Sequence, residues 1–390
     1  MTNFKTFTAN RRSILGGTLA LGFGAMAMPR IAFAQSGGSK NLLFVLLRGA
    51  ADGMEMLAPI GDPGFDRLRP EWNERFADSR KIGGLFAIHP ALEQVSSAYG
   101  AGEALFVHAT ATSYRERSHF DGQNLLETGG MEPYASRDGW MNRLVGMIPG
   151  ETPRALAVAP ALPLAMRGSA PTSSYAPSNL PDPSEAFLDR VSSLYADDDQ
   201  LAGLWQSALE TQAMAGENSL RNLRDARAAG ELTASLMRDE DGAKIGMIEL
   251  GGWDSHAGQA GQFSRMATRL DALLGAYRAS MGESWNDTLV LVATEFGRTA
   301  RVNGTNGTDH GTGGAALLLG GNLSGGRIIA DWPGLREGDL FEGRDLMPTT
   351  PLESVLAGAA AEHLGLDPQA ALATLFPGRN IAPLTGLSKG

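Results

Sequence analysis

Gly251-Gly252-Trp253-Asp254-Ser255-His256 sets a carboxylate and an imidazole two residues apart. In an extended segment residues i and i+2 project to the same side, so one cation can be gripped by both. Two further segments carry the same kinds of group: Thr294-Glu295-Phe296-Gly297-Arg298-Thr299 and Asp309-His310-Gly311-Thr312-Gly313-Gly314. A fourth, Arg48-Gly49-Ala50-Ala51-Asp52-Gly53, offers an acid between glycines that let the backbone turn sharply. Each has a plain reading as well. Asp52-Gly53 is a common turn pair, Asp254 and His256 read as a solvated acid beside a satisfied imidazole, and Glu295 with Arg298 reads as a surface ion pair of small value. Taken together, however, four carboxylates (Asp52, Asp254, Glu295, Asp309) and two imidazoles (His256, His310) would repel one another or desolvate badly without cations. One divalent ion, or two, resolves that conflict.

Arg115-Glu116-Arg117-Ser118-His119-Phe120-Asp121-Gly122-Gln123 adds a hydroxyl. Ser118 suits a helix N-cap, for which serine is a preferred residue. At a helix N-terminus beside a metal the same hydroxyl would be acidified and able to attack phosphorus or sulfur. His119 fits a ligand, a base or a substrate contact. No Gly-x-Ser-x-Gly surrounds Ser118, so the nucleophile elbow of serine hydrolases is absent. His108 lies within an apolar run and His89 precedes Pro90, and both read as structural; His363, near the end of a late helix, reads as a capping or surface residue. Trp72, Trp140, Trp205, Trp285 and Trp332 are too scattered to form a stacking platform.

The chemistry-bearing segments sit beside short apolar runs. Asn41–Leu47 is continuous and bounded by polar and glycine residues, as expected of a strand buried on both faces of a parallel sheet. Similar runs recur at Ala104–Ala109, Ala155–Ala159, Ile245–Leu250, Thr288–Ala293 and Ala315–Leu319, with helical spacing at Ala91–Tyr99, His119–Glu127, Phe263–Met281 and Leu352–Leu364. This alternation predicts an α/β fold: a doubly wound, mostly parallel sheet with helices on both faces, which binds ligands beyond the carboxyl ends of its strands. A Pro/Ser/Ala-rich opening at Pro171–Pro183 and polar, helix-prone sequence after it mark about 162–238 as a helical insertion or cap.

Lys5 and the pair Arg11-Arg12 precede an apolar stretch from Ile14 to Met28, closed by Ala32-Phe33-Ala34. That stretch is shorter than the roughly 20 residues a membrane-spanning helix needs. Residues 1–34 therefore read as a cleavable leader, and its consecutive arginines resemble the twin-arginine export signal. Its removal takes four cations (Lys5, Arg11, Arg12, Arg30) and no acid from a chain of net charge −10, leaving −14 for residues 35–390. So acidic a chain has no electrostatic basis for binding nucleic acid or an anionic membrane. With no cysteine, thiol catalysis, iron–sulfur clusters and thiolate zinc sites are excluded. With six histidines, a metal site is expected to lean on carboxylates, which favours hard or borderline divalent ions without distinguishing zinc, manganese, magnesium or calcium.

The ordered motifs, from Leu46-Leu47-Arg48-Gly49-Ala50-Ala51-Asp52-Gly53 through Arg117-Ser118-His119-Phe120-Asp121-Gly122-Gln123, Gly251–His256, Glu295–Thr299 and Asp309–Gly314, resemble the domain of unknown function 1501 family over nearly the whole mature chain. That family is placed with alkaline-phosphatase-like and sulfatase-like enzymes. The resemblance implies Asp52 as an early metal ligand and Ser118 as nucleophile. It further implies Asp254 and His256 as a ligand pair at shorter spacing than usual, and His310 as a late ligand. Asp345-Leu346-Met347-Pro348-Thr349 resembles a structural segment of sulfatase-like chains. The superfamily's Asp-His pair at the strand end is replaced by Glu295 and Arg298, which puts a second metal in doubt and offers Arg298 as a clamp for an anion. The implied activity is metal-dependent hydrolysis of phosphate or sulfate esters in the periplasm or beyond it, after passage through the twin-arginine translocase. Asp309 stands with the ligands or just behind them. Two rival readings are a non-catalytic exported protein that keeps the fold and a metal-free esterase using Ser118 and His119.

Overall fold

A computed structural model describes residues 40–149, 154–178, 183–215 and 222–389. The leader expected over residues 1–34 lies outside the described residues. Among the described residues nine strands form one sheet. Eight of them are β1 (Asn41–Arg48), β2 (Ala104–Ala111), β3 (Ala155–Val158), β4 (Ser173–Tyr175), β5 (Ile245–Gly251), β6 (Thr288–Thr294), β7 (Gly314–Gly320) and β8 (Arg327–Ile329). They lie in the order β8-β2-β7-β6-β1-β5-β3-β4, and the two-residue strand Thr350–Pro351 adds to β2. β1 runs parallel to β5 and β6, and β3 parallel to β5 and β4. β7 alone in this set is antiparallel to its neighbours, β6 and β2. The sheet is therefore mostly parallel, as the apolar runs predict.

Alternation along β1 explains why the sheet must be covered twice. Leu43, Val45 and Leu47 enter one core, and Leu42, Phe44 and Leu46 enter the other. The first core is closed by helices α1 (Glu93–Gly100), α5 (Ala226–Met237) and α6 (Gln259–Met281). α6 buries Phe263, Met266, Leu270, Leu273, Leu274 and Tyr277, the stripe expected of a helix with one apolar face. The second core is closed by α3 (Trp140–Met147), α7 (Leu352–Leu364) and α8 (Pro368–Leu375), with Trp140 edge-on to Phe44 at 5.3 Å. α2 (His119–Thr128) ends on Gly129 in the left-handed conformation (φ 67°), whose N–H closes the helix on the Leu125 carbonyl. α4 (Glu185–Tyr195) leaves Phe187 and Leu194 exposed.

His363 departs from the expected surface or capping role. It is buried, and its Nε2 meets the Asn41 carbonyl at 3.0 Å, tying α7 to the start of β1. Burial depresses its pKa to about 4, as it depresses His89 to about 3 and His108 to about 4. No helix among the described residues is long and apolar enough to cross a membrane.

Candidate metal centre

Because β1, β2, β5 and β6 share a direction and β7 opposes them, the segments leaving those four and entering β7 meet at one edge of the sheet. That edge collects the sequence motifs. Two glycines let the loops close on one another. A side chain on Gly49 (φ +113°) would put its Cβ 2.7 Å from the Asp254 nitrogen, and one on Gly307 would stand 2.2 Å from the His256 carbonyl carbon.

Asp254 is the centre of the cluster. His256 Nε2 lies 3.0 Å and His310 Nε2 3.3 Å from its Oδ1, and His119 Nε2 lies 3.4 Å from its Oδ2. His256 and His310 bring their Nε2 atoms to 3.0 Å of each other. In a tetrahedral site with bonds of about 2.0–2.1 Å the ligand atoms stand roughly 3.3 Å apart, so these spacings suit one small cation. Among the described residues, His119, Asp254 and His310 form a group able to hold a metal ion. That group has two imidazoles to one acid, and His256 stands beside it.

Each ring is also held on its far side. His119 Nδ1 is 2.8 Å from Glu295 Oε1, His256 Nδ1 is 3.1 Å from Asp309 Oδ1, and His310 Nδ1 is 2.9 Å from the Arg117 carbonyl. Carboxylates and carbonyls only accept, so a neutral ring that keeps its proton on Nδ1 leaves a lone pair on Nε2 for a cation beside Asp254. This is the arrangement in which outer acceptors orient metal-bound histidines. His119 Nε2 is buried and makes no hydrogen bond, a cost that a cation would remove. The hydrogen bond to Glu295 raises the His119 pKa against its burial, whereas burial and then the neighbouring His119 charge lower that of His310.

Other expected ligands stand elsewhere. Asp52 is buried behind the centre, where it caps the short helix Gly53–Met56 and meets Arg69 Nη1 at 2.8 Å and Gln259 Nε2 at 2.5 Å. Its oxygens are taken, so it does not join the donors. Glu295 is fully buried and accepts from His119, from Gln123 Nε2 at 2.9 Å and from the Gly49 N–H at 2.9 Å. Burial alone would raise its pKa, but those donors outweigh it and the net shift is downward. Asp309 likewise backs His256 and accepts from Asn303 Nδ2 at 3.1 Å, with its pKa lowered first by the hydrogen bond to His256. Arg298, expected to clamp an anion, has its donors engaged within the protein. It is buried, and it donates to Asp254 Oδ1 at 2.6 Å, to Thr308 Oγ1 at 3.2 Å and to the Thr308 carbonyl. Although burial raises the Asp254 pKa, Arg298 reverses the shift and holds it low.

Ser118 occupies the N-cap position of α2 in extended conformation (φ −91°, ψ 124°), and its side chain makes no capping bond. Its N–H donates instead to the Tyr114 hydroxyl at 3.1 Å, and that hydroxyl donates to Asp121 Oδ2 at 3.3 Å. Arg117, just before it, holds a left-handed backbone (φ 61°) that carries the carbonyl for His310, while its guanidinium meets buried Asp345 at 2.9 Å. Arg117, Tyr114 and Gln123 were not picked out from the sequence as site residues, although all lie in or next to the segment Arg115–Gln123.

Glu295→Gln is expected to weaken cation binding about 10- to 100-fold by loosening the orientation of His119. Competition with a chromophoric chelator measures it, and unchanged affinity would remove His119 from the ligand set.

No curated protein matches the chain. Solved structures resemble it distantly. Ps i-CgsB, in complex with k-i-k-neocarrahexaose, is 10% identical with a TM-score of 0.43, over 86% of this chain and 74% of that one. Alkaline phosphatase from the Antarctic bacterium TAB5 is 13% identical with a TM-score of 0.35, over 75% and 94%. The lipoteichoic acid synthase LtaP from Listeria monocytogenes is 10% identical with a TM-score of 0.36, over 89% and 74%. Likenesses this remote carry no information on activity. The family model described as "Protein of unknown function (DUF1501)" matches residues 39–376, and the chain belongs to that family.

Proposed function

We propose that the mature protein is an exported, metal-dependent hydrolase of phosphate or sulfate esters. The observation that carries the reading is the convergence of three imidazole Nε2 atoms on Asp254, each ring held from behind by an acceptor. His119, His310 and Asp254, with His256 beside them, are a donor set suited to zinc or a similar borderline ion. Such an ion, when bound, polarises an ester oxygen and lowers the pKa of a hydroxyl beside it. Asp254 and His256 are exposed, so substrate reaches the donors from solvent.

The chain's own residues supply the rest. Ser118 presents a hydroxyl that is not spent on capping, at a helix N-terminus whose dipole favours developing negative charge. Its oxygen gives up its proton and bonds to phosphorus or sulfur as the ester oxygen departs and takes a proton to leave as alcohol, and water then cleaves the serine ester, restoring the hydroxyl and releasing phosphate or sulfate. Tyr114 and Asp121 fix the turn that carries Ser118. The leader supports export through the twin-arginine translocase into the periplasm or beyond.

A metal-free esterase has one observation in its favour, the Glu295–His119 pair at 2.8 Å, which resembles the acid–base half of a catalytic triad. Yet His119 Nε2 makes no bond to Ser118 and faces Asp254. Metal analysis of the exported protein, coupled to a panel of aryl phosphate monoesters, diesters and sulfates, separates the readings. We expect bound divalent metal and turnover abolished by chelation. Turnover that survives chelation would leave the metal-free esterase standing, and no turnover of any ester would leave a binding protein.

A further inference from the structure

Beside the metal centre lies a cavity of about 330 Å³ whose charge is opposite to that of the protein as a whole. Three guanidinium groups line it: Arg67 from the short helix Pro63–Leu68, Arg301 from the segment after β6, and Arg344 from the segment before Asp345. Two acids also line it, Asp309 and Glu337. Asp309 is already engaged by His256 and Asn303, and Glu337 is exposed. The walls are pinned to one another. The Val302 N–H meets the Leu68 carbonyl at 3.3 Å, and the Ala300 N–H meets the Arg344 carbonyl at 3.1 Å.

The cavity is also joined to the metal centre. Asp309 is both its wall and the acceptor behind His256, and Arg344 Nη2 donates to the His310 carbonyl at 2.8 Å. The arginines retain binding capacity. Arg67 meets the neutral Leu335 carbonyl, Arg344 shares Asp345 at 3.3 Å, and the Arg301 guanidinium forms no hydrogen bond or ion pair with another described residue, its only hydrogen bond being the one its carbonyl accepts from Thr299 Oγ1. Guanidinium groups with free donors recognise carboxylate, sulfate and phosphate, and do so best where low-dielectric walls focus their field.

We propose that this cavity is a substrate subsite that takes a second anionic group, carried on the alcohol part of the ester, with Arg301, Arg67 and Arg344 setting specificity. The inference rests on the hydrolase reading for the position of the reacting ester, but not for the binding of an anion in the cavity. The preferred substrate class is therefore an ester whose leaving alcohol bears a further carboxylate, sulfate or phosphate, in place of a simple neutral alcohol.

Two measurements on the metal-loaded protein test it. The first is calorimetric binding of benzene-1,3-disulfonate, which does not chelate, against benzenesulfonate. Losing a charge-assisted hydrogen bond costs roughly tenfold or more in affinity. The dianion should bind the wild-type protein at least that much more tightly than the monoanion, and the preference should shrink in Arg301→Gln and Arg67→Gln. Arg336→Gln, at an exposed ion pair with Asp339 outside the cavity, should keep it. The second compares kcat/KM for 3-carboxyphenyl phosphate and phenyl phosphate, with the carboxylate favoured by a similar factor. Equal binding of the two sulfonates, or a preference untouched in both cavity variants, overturns the subsite. Turnover of both esters without preference also overturns it and leaves the hydrolase standing. A binding preference lost in the variants, with neither ester turned over, upholds the anion site and overturns the hydrolase.

Discussion

Asp254→Asn is expected to strip the protein of its divalent cation while leaving the fold intact. Four side chains meet at this carboxylate: His256, His310 and Arg298 at Oδ1 and His119 at Oδ2. Asparagine keeps an oxygen for Arg298 but loses the charge that holds a cation among neutral rings. Asp254→Ala adds a second effect, because buried Arg298 then loses its acceptor at a cost of about 1–3 kcal/mol, lessened by the exposure of Asp254 itself. Elemental analysis and urea unfolding with and without chelator distinguish the two. A ligand present at roughly 100 times its Kd stabilises the native state by about 2.7 kcal/mol, so wild-type protein should lose about that much on chelation and Asp254→Asn nothing. An Asp254→Asn protein that still held one cation per chain would sink the proposed centre.

Ser118→Ala should reduce ester turnover by roughly 10⁴-fold or more, the order seen when a covalent nucleophile is removed. Metal content and unfolding midpoint should stay near wild type, since the Ser118 side chain makes no capping bond and is only half-buried. Turnover and metal are read on the same samples, so a general loss of structure cannot pass for a catalytic effect. Retained turnover would transfer the attack from Ser118 to water and leave the metal centre in place.

How much of this was legible beforehand depends on what each residue's surroundings owe to distant sequence. β1, β5 and β6 were readable because strands buried on both faces are continuous apolar runs, and the bounds of α7 coincide with those expected. The direction of β7 was not readable, since an antiparallel strand buried on both faces has the same composition as a parallel one. In the site, Asp254, His256 and His310 were visible as polar groups in glycine-rich loops flanking strands. The position of Asp52 at a strand end was equally visible, but not the turn of its carboxylate inward toward Arg69 and Gln259. Glu295, Asp309 and Arg298 follow the same logic: spacing brings them to the edge of the sheet, and partners far along the chain decide which way each side chain points. For His363 that partner is the Asn41 carbonyl, at the opposite end of the domain's sequence.

The central place of β1 has a kinetic consequence. Its two neighbours are residues 245–251 and 288–294, and the donors meeting above it range from His119 to His310. Closing loops of that length is entropically costly until many contacts form at once. A nascent or truncated chain thus has the ligands but no coordination sphere, and a cation cannot nucleate folding. The binding energy of an ion at the proposed centre would fall wholly on the finished native state, a late brake on unfolding rather than a template for assembly.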